Sequence, residues 1–241
     1  MQPVPEFVRE RGLRTFDEFM NYDVGSIRSY RLIMPDTLRY SAEPNDKTGF
    51  GFALGFPEAT QGFKRTVNAP ESLSGITGLK QRRQLKGLLR DAWDIHDEAD
   101  YNRAFEFLLS GQDTGTEELG EALSSSSMRK HCDPTGVLLP SPLPTSLEAW
   151  TLRRIASLAY IGGSLGWANV DELAAPMAQV GQRARDHYTS WRGFNEAYHC
   201  ALVMHSEGGH VAWMNMLYLN YFERQDTSPW VVLPFADTAK A

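Results

Sequence analysis

From Leu79 onward, apolar residues recur at intervals of three and four, and this spacing predicts a run of helices. Leu85, Leu88, Leu89 and Ala92 lead into Trp93 and Ile95 as one helical stripe. Asp97 has the form of an N-cap for a helix over Glu98–Ser110, with Ala104, Phe105, Leu108 and Leu109 buried and Gly111 as the stop. Ser146 starts the next helix, and Leu147–Ile161 is apolar on nearly every side, the mark of a helix central in its domain. Gly162, Gly163 and Gly166 are expected to end it. Asn169 and Glu172 form a capping-box pattern before a helix whose face carries Leu173, Met177, Val180, Ala184 and Tyr188, with Pro176 kinking it or marking its first turn. Ser190 caps a helix striped by Trp191, Phe194, Tyr198, Ala201, Leu202 and His205, which Gly208 and Gly209 break. Val211, Met214, Leu217, Tyr218 and Tyr221 form the face of the last long helix, and Ser228–Phe235 is an extended apolar tail that packs back on the others.

The first third reads differently. Thr15 with Glu18 predicts a short capped helix to Tyr22, with Phe16 and Phe19 on one side. Ser29–Met34 reads as a short strand. Gly49–Phe56 alternates small and aromatic residues, which fits either a strand in close contact with a neighbour or an ordered loop pinned by its Phe residues. A weaker helix is expected over Glu117–Leu123, and the connection from Ser124 through the four prolines of His131–Pro144 is a surface excursion or linker. Together these patterns predict a mainly α protein. Residues 1–75 form a mixed, loop-rich extension with a short helix and one or two short strands, and residues 76–241 form a single helical domain of about six to eight helices.

Composition narrows the class. The 241 residues are 42% hydrophobic and 22% charged, which excludes a largely disordered chain or a disulfide-stapled miniprotein. A net charge of −6 argues against a duplex-DNA reader and favours a basic protein partner. Cys132 and Cys200 lack a CxxC spacing and read as free thiols. Residues 1–12 show no apolar leader, and no run suits a membrane span, so a cytoplasmic protein with no membrane or nucleic-acid partner is expected.

Several segments resemble the bacterial family called domain of unknown function 1266. They are Leu88–Ile95; Ala149-Trp150 with Arg154 and Leu158; Gly162–Trp167; Tyr188–Trp191 with Phe194 and Tyr198; Ser228–Trp230; and Leu233–Phe235. The resemblance covers roughly Leu79–Phe235 and implies a mostly helical domain without an established activity. The chain departs from the family pattern at Thr151, where an Asp is common, and at Ala159-Tyr160, where Arg-Trp or a similar pair is usual.

Three groups could carry chemistry. His199, His205, Glu207 and His210 are candidates for a metal site or an acid–base pair, although His199 and His205 are not one turn apart and the HExxH spacing is absent. The alternative is a helix-terminus cluster, with His205 at a C-terminal dipole. Arg153 and Arg154, on an apolar helix, need partners, with Asp94, Glu148 or a helix C-terminus as structural choices and an anion as the functional one. Trp150, Arg154, Tyr188, Trp191 and Tyr198 are the candidate binding residues, since Trp, Tyr and Arg dominate interfaces, while core packing is the competing role for the aromatics. The basic run Lys80–Arg83 with Lys86 reads as a solvated face. No cofactor is predicted. Two functions compete: a non-catalytic protein-binding module, such as an immunity protein or adaptor, and a hydrolase built around His199–His210.

Overall fold

The structure, a computed structural model, describes residues 5–24, 37–38, 47–55, 66–67, 78–111, 132, 136–205, 209–226 and 228–236. It is mainly helical, with ten helices among the described residues: α1 (Glu6–Glu10), α2 (Phe16–Asn21), α3 (Lys47–Ala53), α4 (Leu79–Trp93), α5 (Glu98–Leu109), α6 (Ala149–Leu165), α7 (Val170–His187), α8 (Trp191–His205), α9 (Gly209–Arg224) and α10 (Pro229–Val232). Thr37–Leu38 and Thr66–Val67 pair in parallel over two residues each.

Local rules fix the helix starts. Thr15 Oγ1 accepts from the Glu18 amide at 3.1 Å and the Glu18 carboxylate returns the bond to the Thr15 amide. The amides of Arg14 and Thr15 together hold the Glu18 carboxyl below its usual range. Asn169 and Glu172 make the same reciprocal box, Asp97 caps α5, and Ser190 accepts from the Gly193 amide at 3.0 Å. Because Asn169 caps α7, Pro176 lies well inside that helix rather than at its first turn.

Helix α6 is the centre. Fifteen of its 17 residues are buried, and α3, α4, α5, α7 and α8 all pack on it. It continues through Gly162 and Gly163 and stops at left-handed Gly166, φ 73°. Gly162 is needed for space: a Cβ there would sit 2.3 Å from the Tyr101 ring. Arg82 donates to the Leu165 carbonyl at the end of α6, and Lys86 lies over Trp167 at 5.5 Å. Two members of the basic run therefore close the C-terminus of α6, where cations are favourable, instead of forming only a solvated face.

The segment read as a strand or loop is helical over Gly49–Ala53. Close packing explains why. A Cβ on Gly51 would lie 1.9 Å from the Met177 carbonyl oxygen, so α3 reaches the backbone of α7 only without a side chain there. This contact buries Phe50, Phe52 and Leu54 completely, which outweighs the helix penalty of about 1 kcal/mol per glycine. The strand expected at Ser29–Met34, the helix at Glu117–Leu123 and the Ser124–Ser127 run lie outside the described residues. Two expected faces are also corrected. Leu88 and Ala92 on α4 are exposed, leaving Leu85 and Leu89 as its buried contacts. On α9, Val211 is 49% exposed and Met214 and Tyr221 are half-buried; Leu217 and Tyr218 of the expected face are buried, together with Ala212, Trp213, Met216, Leu219, Asn220 and Phe222.

The tail packs back on the helices, as a one-turn helix capped by Ser228. Trp230 Nε1 donates to the Ala53 carbonyl at 2.8 Å, joining it to the end of α3. On α9, Asn220 Nδ2 lies within 3.0 Å of the carbonyls of Phe19, Met20 and Tyr22, and Arg224 donates to Asn21. Side chains of α9 thus satisfy the last carbonyls of α2, which a six-residue helix leaves open.

Candidate functional site

The candidate residues separate into two sets. The first is structural. Tyr188 accepts from the Ala149 amide at 2.9 Å and donates to the Ser146 carbonyl at 3.2 Å, so it caps the start of α6. Burial pushes its hydroxyl pKa up to about 12. Trp191 donates to the Leu233 carbonyl at 2.8 Å and packs among Phe50, Trp230 and Phe235, with ring centroids 4.8, 5.8 and 5.0 Å away. His199 is fully buried, its ring tilted against that of Phe16 at 5.3 Å. Its Nε2 lies 2.9 Å from the Leu138 carbonyl, which can only accept, so Nε2 carries the proton. Its Nδ1 then accepts from Asn215 Nδ2 at 3.4 Å. Burial lowers the imidazole pKa to about 4, so the ring is neutral and both nitrogens are committed.

The second set converges at the other end of α8. Trp150, half-buried at the start of α6, stacks on Tyr198 at 5.5 Å and on exposed His205 at 4.5 Å. The Arg153 guanidinium, 1% exposed, lies 3.7 Å from the Tyr198 ring centroid. Arg154 lies 4.8 Å from Trp93 and 5.8 Å from Trp150. Both arginines therefore sit over aromatic faces, a favourable placement for a guanidinium. Of the expected carboxylate partners, Glu148 pairs with Arg183 and Asp94 with His96 at 2.9 Å.

Beside this shelf, α8 and α9 enclose a cleft of about 330 Å³ lined by Tyr198, Leu202, His210, Val211, Met214, Asn215 and Tyr218. Leu202, Met214, Asn215 and Tyr218 were not among the residues expected to form a site. Val211, Met214 and Tyr218 carry the helical spacing of a core face, and that periodicity conceals a cleft wall. Asn215 set among them is the one polar break in the pattern that could have signalled it.

His205 closes α8 and His210 is the second residue of α9. His199 points instead toward Leu138 and Asn215. Glu207 lies outside the described residues, and among the described residues no three His, Cys, Asp or Glu side chains are grouped to hold a metal. Cys132 and Cys200 are buried free thiols, and burial raises the Cys200 pKa, which keeps it protonated.

The fold and site thus define a helical domain with an aromatic shelf and a mostly apolar cleft. No helix among the described residues is long and apolar enough to cross a membrane. The chain belongs to the family described as protein of unknown function (DUF1266), whose model matches residues 88–235. That span runs from within α4 to the end of the tail, and α1, α2 and α3 precede it. No curated protein and no solved structure matches the chain.

Proposed function

We propose that the protein is a non-catalytic, intracellular protein-binding module that captures a basic partner, in the manner of an immunity protein or an adaptor. The observation that supports this most is the shelf itself. Trp150, Tyr198, His205, Arg153 and Arg154 are already held face to face, so little side-chain freedom remains to be lost on binding. Trp, Tyr and Arg are also the residues that carry most interface energy. The net charge of −6 supplies long-range attraction for a basic protein, while the shelf supplies short-range contact. The hydrolase reading gains no support, because His199 is neutral and engaged on both nitrogens.

The reading is tested by capture from native lysate with a photoreactive side chain placed at His205. One protein should crosslink in stoichiometric yield. Crosslinking should fall with added salt and fall in Trp150→Ala, which removes the ring that His205 stacks on, while a probe at exposed Phe107 on α5 yields none. Absence of a crosslinked protein from the His205 position, or equal yield from Phe107, removes the proposal.

A further inference from the structure

The cleft between α8 and α9 carries an observation that the protein partner does not use. Asn215 lines it, is 5% exposed, and gives one amide hydrogen to His199. His199 decides which way that amide faces. Its Nε2 must donate to the Leu138 carbonyl, so its Nδ1 needs a donor, and the nitrogen of Asn215 rather than the oxygen turns toward it. Besides the bond to His199, Asn215 keeps an acceptor oxygen and a second N–H. Around them stand two phenol rings, Tyr198 and Tyr218, and the apolar side chains of Leu202, Val211 and Met214. Among the described residues no carboxylate, lysine or arginine lines the space, and its volume of about 330 Å³ is at the small end of organic-ligand sites.

The geometry points to a binding site for a neutral, planar nitrogen heterocycle of the nucleobase class. The ring would lie between the aromatic and aliphatic walls, where base–aromatic packing is favourable for any flat π system. Its edge would pair with Asn215, as asparagine pairs with the adjacent donor and acceptor of adenine. Exposed His210 at the mouth would meet a substituent leaving the cleft. The cleft shares Tyr198 with the shelf, while Trp150, Arg154 and His205 are not among the residues that line it.

Calorimetric titration of the full chain with adenine and with hypoxanthine tests this, with N6,N6-dimethyladenine as the compound whose donor is blocked. Saturable one-to-one binding is expected for at least one of the two bases, and binding of the dimethyl compound should be weaker by about ten-fold or more. Asn215→Leu should weaken the base by about the same factor. Because that variant also removes the partner of His199, Val211→Trp provides a second arm: position 211 is exposed, so the fold tolerates the ring, which blocks the mouth and abolishes binding. No saturable binding of either base to the unsubstituted chain overturns the proposal. So does affinity that Val211→Trp leaves unchanged, or that a folded Asn215→Leu leaves unchanged.

Discussion

Helix α8 begins in one aromatic environment and ends in another. At its start, Trp191 sits among Phe50, Trp230 and Phe235, and its indole N–H is spent on the Leu233 carbonyl. At its end, Tyr198 and His205 stack on Trp150, with Arg153 and Arg154 against ring faces, beside a cleft. Composition alone makes the two ends look alike. What separates them is where each polar handle goes. In the first group, Trp191, Trp230 and Tyr188 all give theirs to backbone carbonyls distant in sequence, which ties segments together. The second group is organised by ring faces, with His205 exposed at its edge.

The contrast is broken most forcefully at the closed end. Trp191→Ala should destabilise the protein by about 4 kcal/mol in urea denaturation, through the lost ring and the cavity left behind. A loss below about 1 kcal/mol would show that this end is not the lock described.

His199 sharpens the comparison through pH. Its folded-state pKa of about 4 is below the ordinary 6.5, so the unfolded chain binds the extra proton between those values. The stability it contributes is complete above pH 6.5 and is lost as pH falls toward 4, by up to about 3 kcal/mol. Glu196 and Glu223 act with the opposite sign. Burial holds both carboxyls above their usual range, so their contribution favours the folded state at low pH and is lost as pH rises. The His199→Gln variant, compared with the unsubstituted chain, isolates the histidine. Its melting temperature should change less between pH 6.5 and 4, and identical profiles would remove the assignment.

The smallest effect is expected at the open end. His205→Ala should change stability by less than about 1 kcal/mol, because the ring stacked on Trp150 is an exposed one. A larger loss would make the shelf a structural element and weaken the case for a binding surface.

Much of this fold was legible because its signals are local. Thr15 with Glu18, Asn169 with Glu172, and Asp97 each act within three residues, and α6 betrayed its central position by being apolar all round. The features that were not legible depend on neighbours far along the chain. Gly51 is a glycine because α7 presents a carbonyl where its Cβ would be. Gly162 is one because the Tyr101 ring fills the space beside it. The site divides by the same logic. His205 and Trp150 could be listed from sequence, but only the turn of α8 reveals that His199 points inward and His205 outward. Asn215 and Asn220, two polar residues in an apolar helix, were the unread signals. One orients His199 beside a cleft and the other closes α2.

That last contact also sets an order of events. Asn220 and Arg224 meet carbonyls about 200 residues earlier, and Trp230 meets Ala53 across 177 residues. During synthesis α2 leaves the ribosome well before α9, so the groups that satisfy its carbonyls are made about 200 residues later. Pairings of such high sequence separation form slowly and leave apolar surface exposed in the interval. Phe16 and Phe19, buried against His199 and Trp213, are therefore side chains that wait for cover until α8 and α9 are made.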